Sequence, residues 1–277
     1  GLAAIMVMGL VGCSSSKGSS SSASSDASSS AAKTEKLQQI KDAGVLKVGT
    51  SAEYSPYEFH KVVDGEDKIV GFDDFLVQEI AKDMGVKVEY EDMDFDGLLG
   101  ALQADKVDIV LAGMTPDEKR KKSVDFSEIY YTNSNVCIVA KGKEDSIKSS
   151  DDLKKLKVGV QKGTTQADYV TNTLGISDAT QLKKIPDLML ELQNGKIDVI
   201  VTGKAVAEIN VKKYDNIAIG NTTVGDEVAE TAAAAIKKSG NGVDNTSFVK
   251  SVNDTIKRLQ DSGDMDKYMQ DALKLAE

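Results

Sequence analysis

From Val45 onward, short apolar runs alternate with stretches whose apolar residues recur at helical spacing. Val45–Thr50 (VLKVGT) predicts a strand. Leu76, Val77, Ile80, Ala81 and Met84 share one face, so a helix is expected over Phe75–Met84, stopped by Gly85. VKVEY (Val86–Tyr90) alternates as a strand, Asp96–Ala104 reads as a short helix, and VDIVLA (Val107–Ala112) is a near-continuous apolar run. Such runs between helices predict a buried parallel sheet. The same order returns further on: strand Lys157–Val160, helix Thr165–Thr173, strand Leu182–Ile185, helix Asp187–Asn194, strand Ile197–Val201. The last stretch, Phe248–Leu275, has the apolar spacing of helix.

Two segments make the repetition explicit. LQADKVDIVLAG (Leu102–Gly113) and LQNGKIDVIVTG (Leu192–Gly203) match at Leu, Gln, Lys, Asp and Gly and exchange Val, Ile and Leu elsewhere. The reading is two similar α/β lobes, each bringing a strand end to one shared cleft, because ligands of open α/β sheets sit beyond the C-terminal strand ends.

Composition narrows the function. The chain has 277 residues, a net charge of −10 and 40% hydrophobic residues, enough for a packed core. The acidic balance argues against nucleic acid, whose phosphates need clustered Lys and Arg. The single histidine, His60, and two cysteines, Cys13 and Cys137, offer neither a disulfide framework nor a metal-ligand cluster, and no cofactor is implied. Cys137 lies in an apolar run and reads as a buried thiol.

Residues 1–13 are small and apolar up to Cys13, and too few to span a bilayer. They read as the end of a signal peptide. Leu10-Val11-Gly12-Cys13 resembles a lipobox, where lipid is attached to the cysteine; the alternative is a plain signal remnant. Twelve serines in the 19 residues Ser14–Ala32 predict a flexible tether over 14–34. Together they describe a protein lipid-anchored on the outer face of a membrane.

The most informative chemistry lies in AGMTPDEKR (Ala112–Arg120). Thr115 fits an N-cap, Pro116 the first helical position and Glu118 the third residue of a capping box. Free N–H groups there, with Arg120 one turn on, suit a carboxylate; an ordinary capped helix with a surface Arg is the alternative. Gly113 lets a ligand approach the backbone. Tyr54 and Phe95 sit in loops at strand ends. QKGTTQ (Gln161–Gln166) follows a strand and opens a helix, with Thr165 as the expected N-cap.

TSAEYSPYEF, IVGFDDFLVQEIAKDMG, FDGLLGALQADKVDIVLAGMT, VDFSEIYY, VGVQKGTTQ and LQNGKIDVIV, in this order, resemble the family 3 extracellular solute-binding proteins of polar amino acid importers. The resemblance spans Leu37 to Leu275. It implies a type II periplasmic-binding-protein-like α/β fold: lobe 1 from 35–131 plus 231–277, lobe 2 from 132–230, with crossing strands near Asn133–Val136 and Gly225–Thr231. It further implies a monomer that binds an amino acid and delivers it to an ABC permease. By the family pattern Arg120, Thr115 and the backbone near Thr165 hold the ligand carboxylate. Gly113 offers its carbonyl to the ammonium, Tyr54 and Phe95 clasp the side chain, and Ser51, Gln161 and Gln166 adjust specificity. One departure stands out. The family usually ends the second repeat with an acid that pairs with the ammonium, where this chain has Gly203. Glu53 is the expected substitute. An enzyme of the same fold, such as a dehydratase of cyclic carboxylates, and a sensory or adhesion module remain alternatives.

Overall fold

The computed structural model describes residues 33–226 and 228–277. The N-terminal expectations, including Cys13 and nearly all of the tether, lie outside the described residues. Thr34, expected in the tether, is instead in a strand, Thr34–Glu35, paired with Val243–Asp244.

Two five-stranded sheets dominate, and their strand orders match. The first runs Lys87–Asp92, Val45–Thr50, Ile109–Val110, Ala235–Lys237, Val124–Phe126. The second runs Thr180–Leu182, Val158–Gln161, Val199–Gly203, Asn135–Ala140, Ile217–Thr223. In each, the first three strands are parallel and the fourth runs antiparallel to both of its neighbours, the third and the fifth. The sheets are therefore mixed, not purely parallel as the apolar runs suggested. The fourth strand of each has just crossed from the other sheet's side. The crossings themselves, Tyr131–Asn133 and Glu230–Ala232, pair antiparallel. This is the type II two-lobe α/β architecture.

The repeat does the same work twice. Asp108 and Asp198 each accept from a backbone N–H at the second strand of their own sheet, Lys47 within Val45–Thr50 at 2.9 Å and Lys157 just before Val158–Gln161 at 2.8 Å. The backbone N–H groups of Asp108 and Asp198 donate in return to the carbonyls of Lys47 and Lys157. Asp105 and Gly195, at matching turns, both take positive φ, 57° and 68°.

Boundaries differ in instructive ways. The Phe75–Met84 helix begins at Phe72, so Phe72 and Asp73 enter the core. Of Val107–Ala112, only Ile109–Val110 is laddered, although the flanking apolar residues are buried. The expected strand end at Ile185 is instead the start of a helix, Ile185–Gln193, with Pro186 in its first turn. Thr165–Asp168 is α-helical and widens into a π-helical turn, Tyr169–Thr173. The C-terminal stretch is two helices, Thr246–Ser262 and Asp264–Ala276, broken at Gly263 with φ 80°. The hairpin Glu58–Val63/Glu66–Val70 was not read from the sequence. Its signal was present: Asp64-Gly65, both at positive φ, is a two-residue turn of the primed kind.

Among the described residues no helix is long and apolar enough to cross a membrane, and no group of three or more His, Cys, Asp or Glu could hold a metal ion. Cys137 is buried, and burial pushes its thiol up to about 12.

Candidate functional site

The loops beyond the strand ends of both sheets meet around one small cavity. Tyr54, Phe95, Gly113, Thr115 and Arg120 line it from the first sheet's side, and Gln161, Thr164, Thr165 and Gln166 from the second's. Glu230, on a crossing strand, completes the wall. Ser51, Glu53 and Gly203 are not part of the lining.

Arg120 is the buried cation of this site, 9% exposed. Burial lowers its pKa, with Asp117 and Asp168 opposing that shift. Its Nη1 donates to the carbonyl of Thr115 at 2.6 Å and its Nη2 to the carbonyl of Gly163 at 2.9 Å, across the cleft. A guanidinium carries five N–H groups in a planar fork, so donors beyond these two remain for a carboxylate. Phe95 lies under the guanidinium, 5.5 Å from ring centre to Cζ, within cation–π range.

Neither helix start is capped as expected. Asp117, not Thr115, caps the single turn Glu118–Lys121 by accepting from the Arg120 N–H at 2.7 Å. The cap lies two residues later because the Thr115 hydroxyl is committed elsewhere. It donates to the Thr231 carbonyl at 2.8 Å and ties the loop to a crossing strand. At the second start Thr164 is the cap, accepting from the Ala167 N–H at 3.1 Å. Thr165 is the first helical residue, and its hydroxyl donates to Gln166 at 3.4 Å. Gln166 in turn donates to the Asn135 side chain at 2.8 Å.

Gly113 is held from behind. Its N–H donates to Asp73 Oδ2 at 2.8 Å, and Tyr130 donates to Asp73 Oδ1 at 2.9 Å. Its φ of +54° and the Tyr54 ring, 3.1 Å from where a Cβ would stand, disfavour other residues. Behind Asp73 lies Glu58, 1% exposed. Two ionised carboxylates could not share this space; a proton on Glu58 lets it donate to Asp73. Burial, foremost, raises both, Asp73 to about 6.

Glu53 spans the cleft instead of lining the cavity. Its Oε1 accepts from Gln161 Nε2 at 2.6 Å and its Oε2 from the Ile185 N–H at 2.9 Å. Burial pushes its carboxyl up to about 7 against these two bonds. Both oxygens are engaged, so the expected substitution of Glu53 for the missing acid does not match its placement. Ser51 is buried, and its carbonyl accepts from the Glu53 N–H at 2.7 Å. Around the rim, Lys183–Asp94 at 2.5 Å, Lys162–Asp96 at 3.2 Å and Lys119–Asp168 at 3.2 Å add bridges across the cleft.

Gly203 presents an unexpected arrangement. Its φ of −66° is open to any residue, so conformation does not require glycine. Space does: a Cβ there would stand 1.9 Å from Glu230 Oε1 and 2.2 Å from its carboxyl carbon. Glu230 and Thr164 are the cavity residues that sequence reasoning missed. Thr164 was visible as the neighbour of the chosen cap; nothing local marks Glu230.

The family model for bacterial extracellular solute-binding proteins, family 3, matches residues 46–274. The arginine-binding extracellular protein ArtP of Bacillus subtilis (strain 168) is 36% identical over 225 residues, covering 80% of this chain and 83% of that protein. A probable histidine-binding protein of Neisseria gonorrhoeae is 34% identical, covering 80% and 81%. Among solved structures, the amino acid ABC transporter substrate-binding protein AbpA of Streptococcus pneumoniae bound to L-arginine superposes with a TM-score of 0.79 at 33% identity, covering 86% of this chain and 98% of that one. With the matched strand orders, the paired crossings and the interlobe cavity, these place the chain among the bacterial extracellular solute-binding proteins, family 3.

Proposed function

We propose that this protein is the substrate-binding component of an ABC importer and captures a polar amino acid, unaltered, in the cavity around Arg120. The observation that carries this is the buried guanidinium with N–H groups to spare, set between two lobes and braced by Phe95 and two backbone carbonyls. A desolvated charge of this kind is costly unless a counter-ion completes it. An α-carboxylate fits the planar fork. Tyr54 and Phe95 offer apolar walls to a ligand side chain, and Gln161 offers a polar one. The relatives named for binding arginine and histidine support this ligand class.

Contacts from both lobes make binding favour the apposed lobes, since only differential contacts shift such an equilibrium. In this reading the lobes are 35–131 plus 231–277 and 132–230, and the apposed form, a monomer anchored through lipid on Cys13, docks on a membrane permease. The role is transport and not catalysis.

A thermal-shift screen of the twenty L-amino acids tests the ligand class. A ligand at a thousandfold its Kd stabilises the native state by about 4 kcal/mol, a shift of several degrees. A polar amino acid should raise Tm; no shift with any of them refutes the proposal.

A further inference from the structure

Among the described residues, Glu230 is the one acid lining the cavity. It is 3% exposed, and neither carboxyl oxygen has a hydrogen-bond partner. Buried polar groups are nearly always paired, so an unpaired carboxyl aimed into a cavity calls for an explanation. Among the described residues lining the cavity, Arg120 is the one cation. Tyr54 and Tyr57, in the segment after the Val45–Thr50 strand, and Tyr131, on the paired crossing strand, stand near it, and burial, foremost, pushes all three phenols up. The Tyr54 hydroxyl lies near enough to oppose in part the effect of burial on the carboxyl, and Arg120, the other charged lining residue, is engaged with Thr115 and Gly163. The carboxyl stands where a side chain at position 203 would begin, within 1.9–2.4 Å of the would-be Cβ. Gly203 and Glu230 are thus a matched pair: the absent side chain makes room for the acid arriving from the crossing strand.

Building on the amino acid reading above, we propose that Glu230 receives the ligand ammonium and is the acid displaced from position 203, so that ligand binding expels a proton from the protein. In the ligand-free cavity the carboxyl is held neutral, because burial pushes it up to about 8. An ammonium placed against it favours the ionised form. The proton then leaves Glu230 for solvent while the ligand keeps its own three. Placing the acid on a crossing strand also couples ammonium recognition directly to the segment that moves when lobes close.

The test uses the L-amino acid giving the largest thermal shift and its des-amino analogue, in which hydrogen replaces the ammonium. Calorimetry at pH 7 in two buffers of different ionisation enthalpy should show release of close to one proton per amino acid bound and none for the analogue. Glu230→Gln should abolish that release and weaken the amino acid about 30-fold or more, the range for breaking a buried charge pair. It should leave the analogue within a few-fold, which general damage to the cavity would not do. The double variant Glu230→Ala, Gly203→Asp should recover affinity over Glu230→Ala alone, since truncation clears the space the new aspartate needs. If an amino acid binds but no proton is released and Glu230→Gln binds normally, the Glu230 assignment falls and the amino acid reading stands. Equal loss of amino acid and analogue in Glu230→Gln, or no gain in the double variant, also overturns it. If no amino acid binds, both fall together.

Discussion

Glu53→Ala should weaken ligand binding although Glu53 lies outside the cavity. In the structure its carboxyl accepts two hydrogen bonds from the far side of the cleft, 108 and 132 residues away along the chain. Opening the lobes separates all three groups, so these bonds favour the apposed arrangement specifically. Were the carboxylate fully ionised, each bond would contribute about 1.5–3 kcal/mol. That range is too generous here. Burial raises Glu53 to about 7, so near neutral pH about half the molecules carry a neutral acid, for which about 0.5–1.5 kcal/mol per bond applies. Two bonds then give about 1–3 kcal/mol.

That energy translates directly into affinity. When only the apposed form binds, the apparent Kd rises as the fraction of that form falls. A bias of about 1–3 kcal/mol corresponds to roughly 5- to 150-fold. Calorimetry on wild type and Glu53→Ala gives the ratio, and small-angle scattering of the ligand-free proteins reports whether the variant is more open. The sign of the pH effect follows from the raised pKa. Closing a cleft over a carboxyl that prefers its proton is easiest below about pH 4.5, and that advantage is lost as pH rises through about 7. The gap in Kd between wild type and variant should therefore narrow from pH 6 to pH 8. A variant Kd within twofold of wild type at pH 6, with unchanged scattering, would refute the argument that Glu53 holds the lobes together.

The other predictions are shorter. Arg120→Ala should raise Kd by roughly 30- to several-thousand-fold, because it removes one side of a desolvated charge pair worth about 2–5 kcal/mol; calorimetry reads this, and an unchanged Kd would remove Arg120 from the site. Ligand-free Glu230→Gln should match wild type in Tm near pH 4.5 and exceed it at pH 8, because the stability of the native acid is complete below its unfolded pKa and is lost as pH rises through about 8; parallel melting curves at both pH values check it. Gly71→Ala should destabilise by about 2–4 kcal/mol in urea unfolding, since φ there is +131° and the new Cβ would stand 2.4 Å from the Tyr57 carbonyl oxygen. Phe248→Ala, at a fully buried position on the Thr246–Ser262 helix, should cost about 3–5 kcal/mol in the same assay.

What could be read from the sequence was whatever local pattern controls. The repeat was legible because one physical task recurs: an aspartate clamping the second strand of its sheet, and a turn at positive φ just before it, at Asp105 and Gly195. Strand positions followed from apolar runs. The two helix caps at the site were misplaced by one or two residues for a tertiary reason. Two threonines stand at Thr164-Thr165, and only packing decides which hydroxyl faces the helix N–H groups. Thr115 has the right chemistry for a cap, but a crossing strand more than a hundred residues away claims its hydroxyl. Likewise Glu53 looked available to the ligand until Ile185 and Gln161 arrived from the other side.

Glu230 shows the limit most sharply. A sequence pattern assigns a role to a position, whereas a cavity assigns it to a point in space. The second repeat ends at Gly203, and by position the acid is missing. By space it is present, carried 27 residues further along on a strand that pairs with Tyr131–Asn133. The only trace in the sequence is the glycine itself, and it is ambiguous. Gly113 and Gly203 close matching segments, yet the first is glycine because its φ is +54° and the second because another residue fills its side-chain volume. A glycine whose φ would suit any residue, at a position where a polar side chain is expected, therefore marks a place to look for a side chain arriving from elsewhere. By the same reasoning Gly203→Asp alone should not restore the family pattern. It would set a second carboxylate against the first in a buried site, and its ligand affinity should fall below wild type, recovering only when Glu230 is shortened.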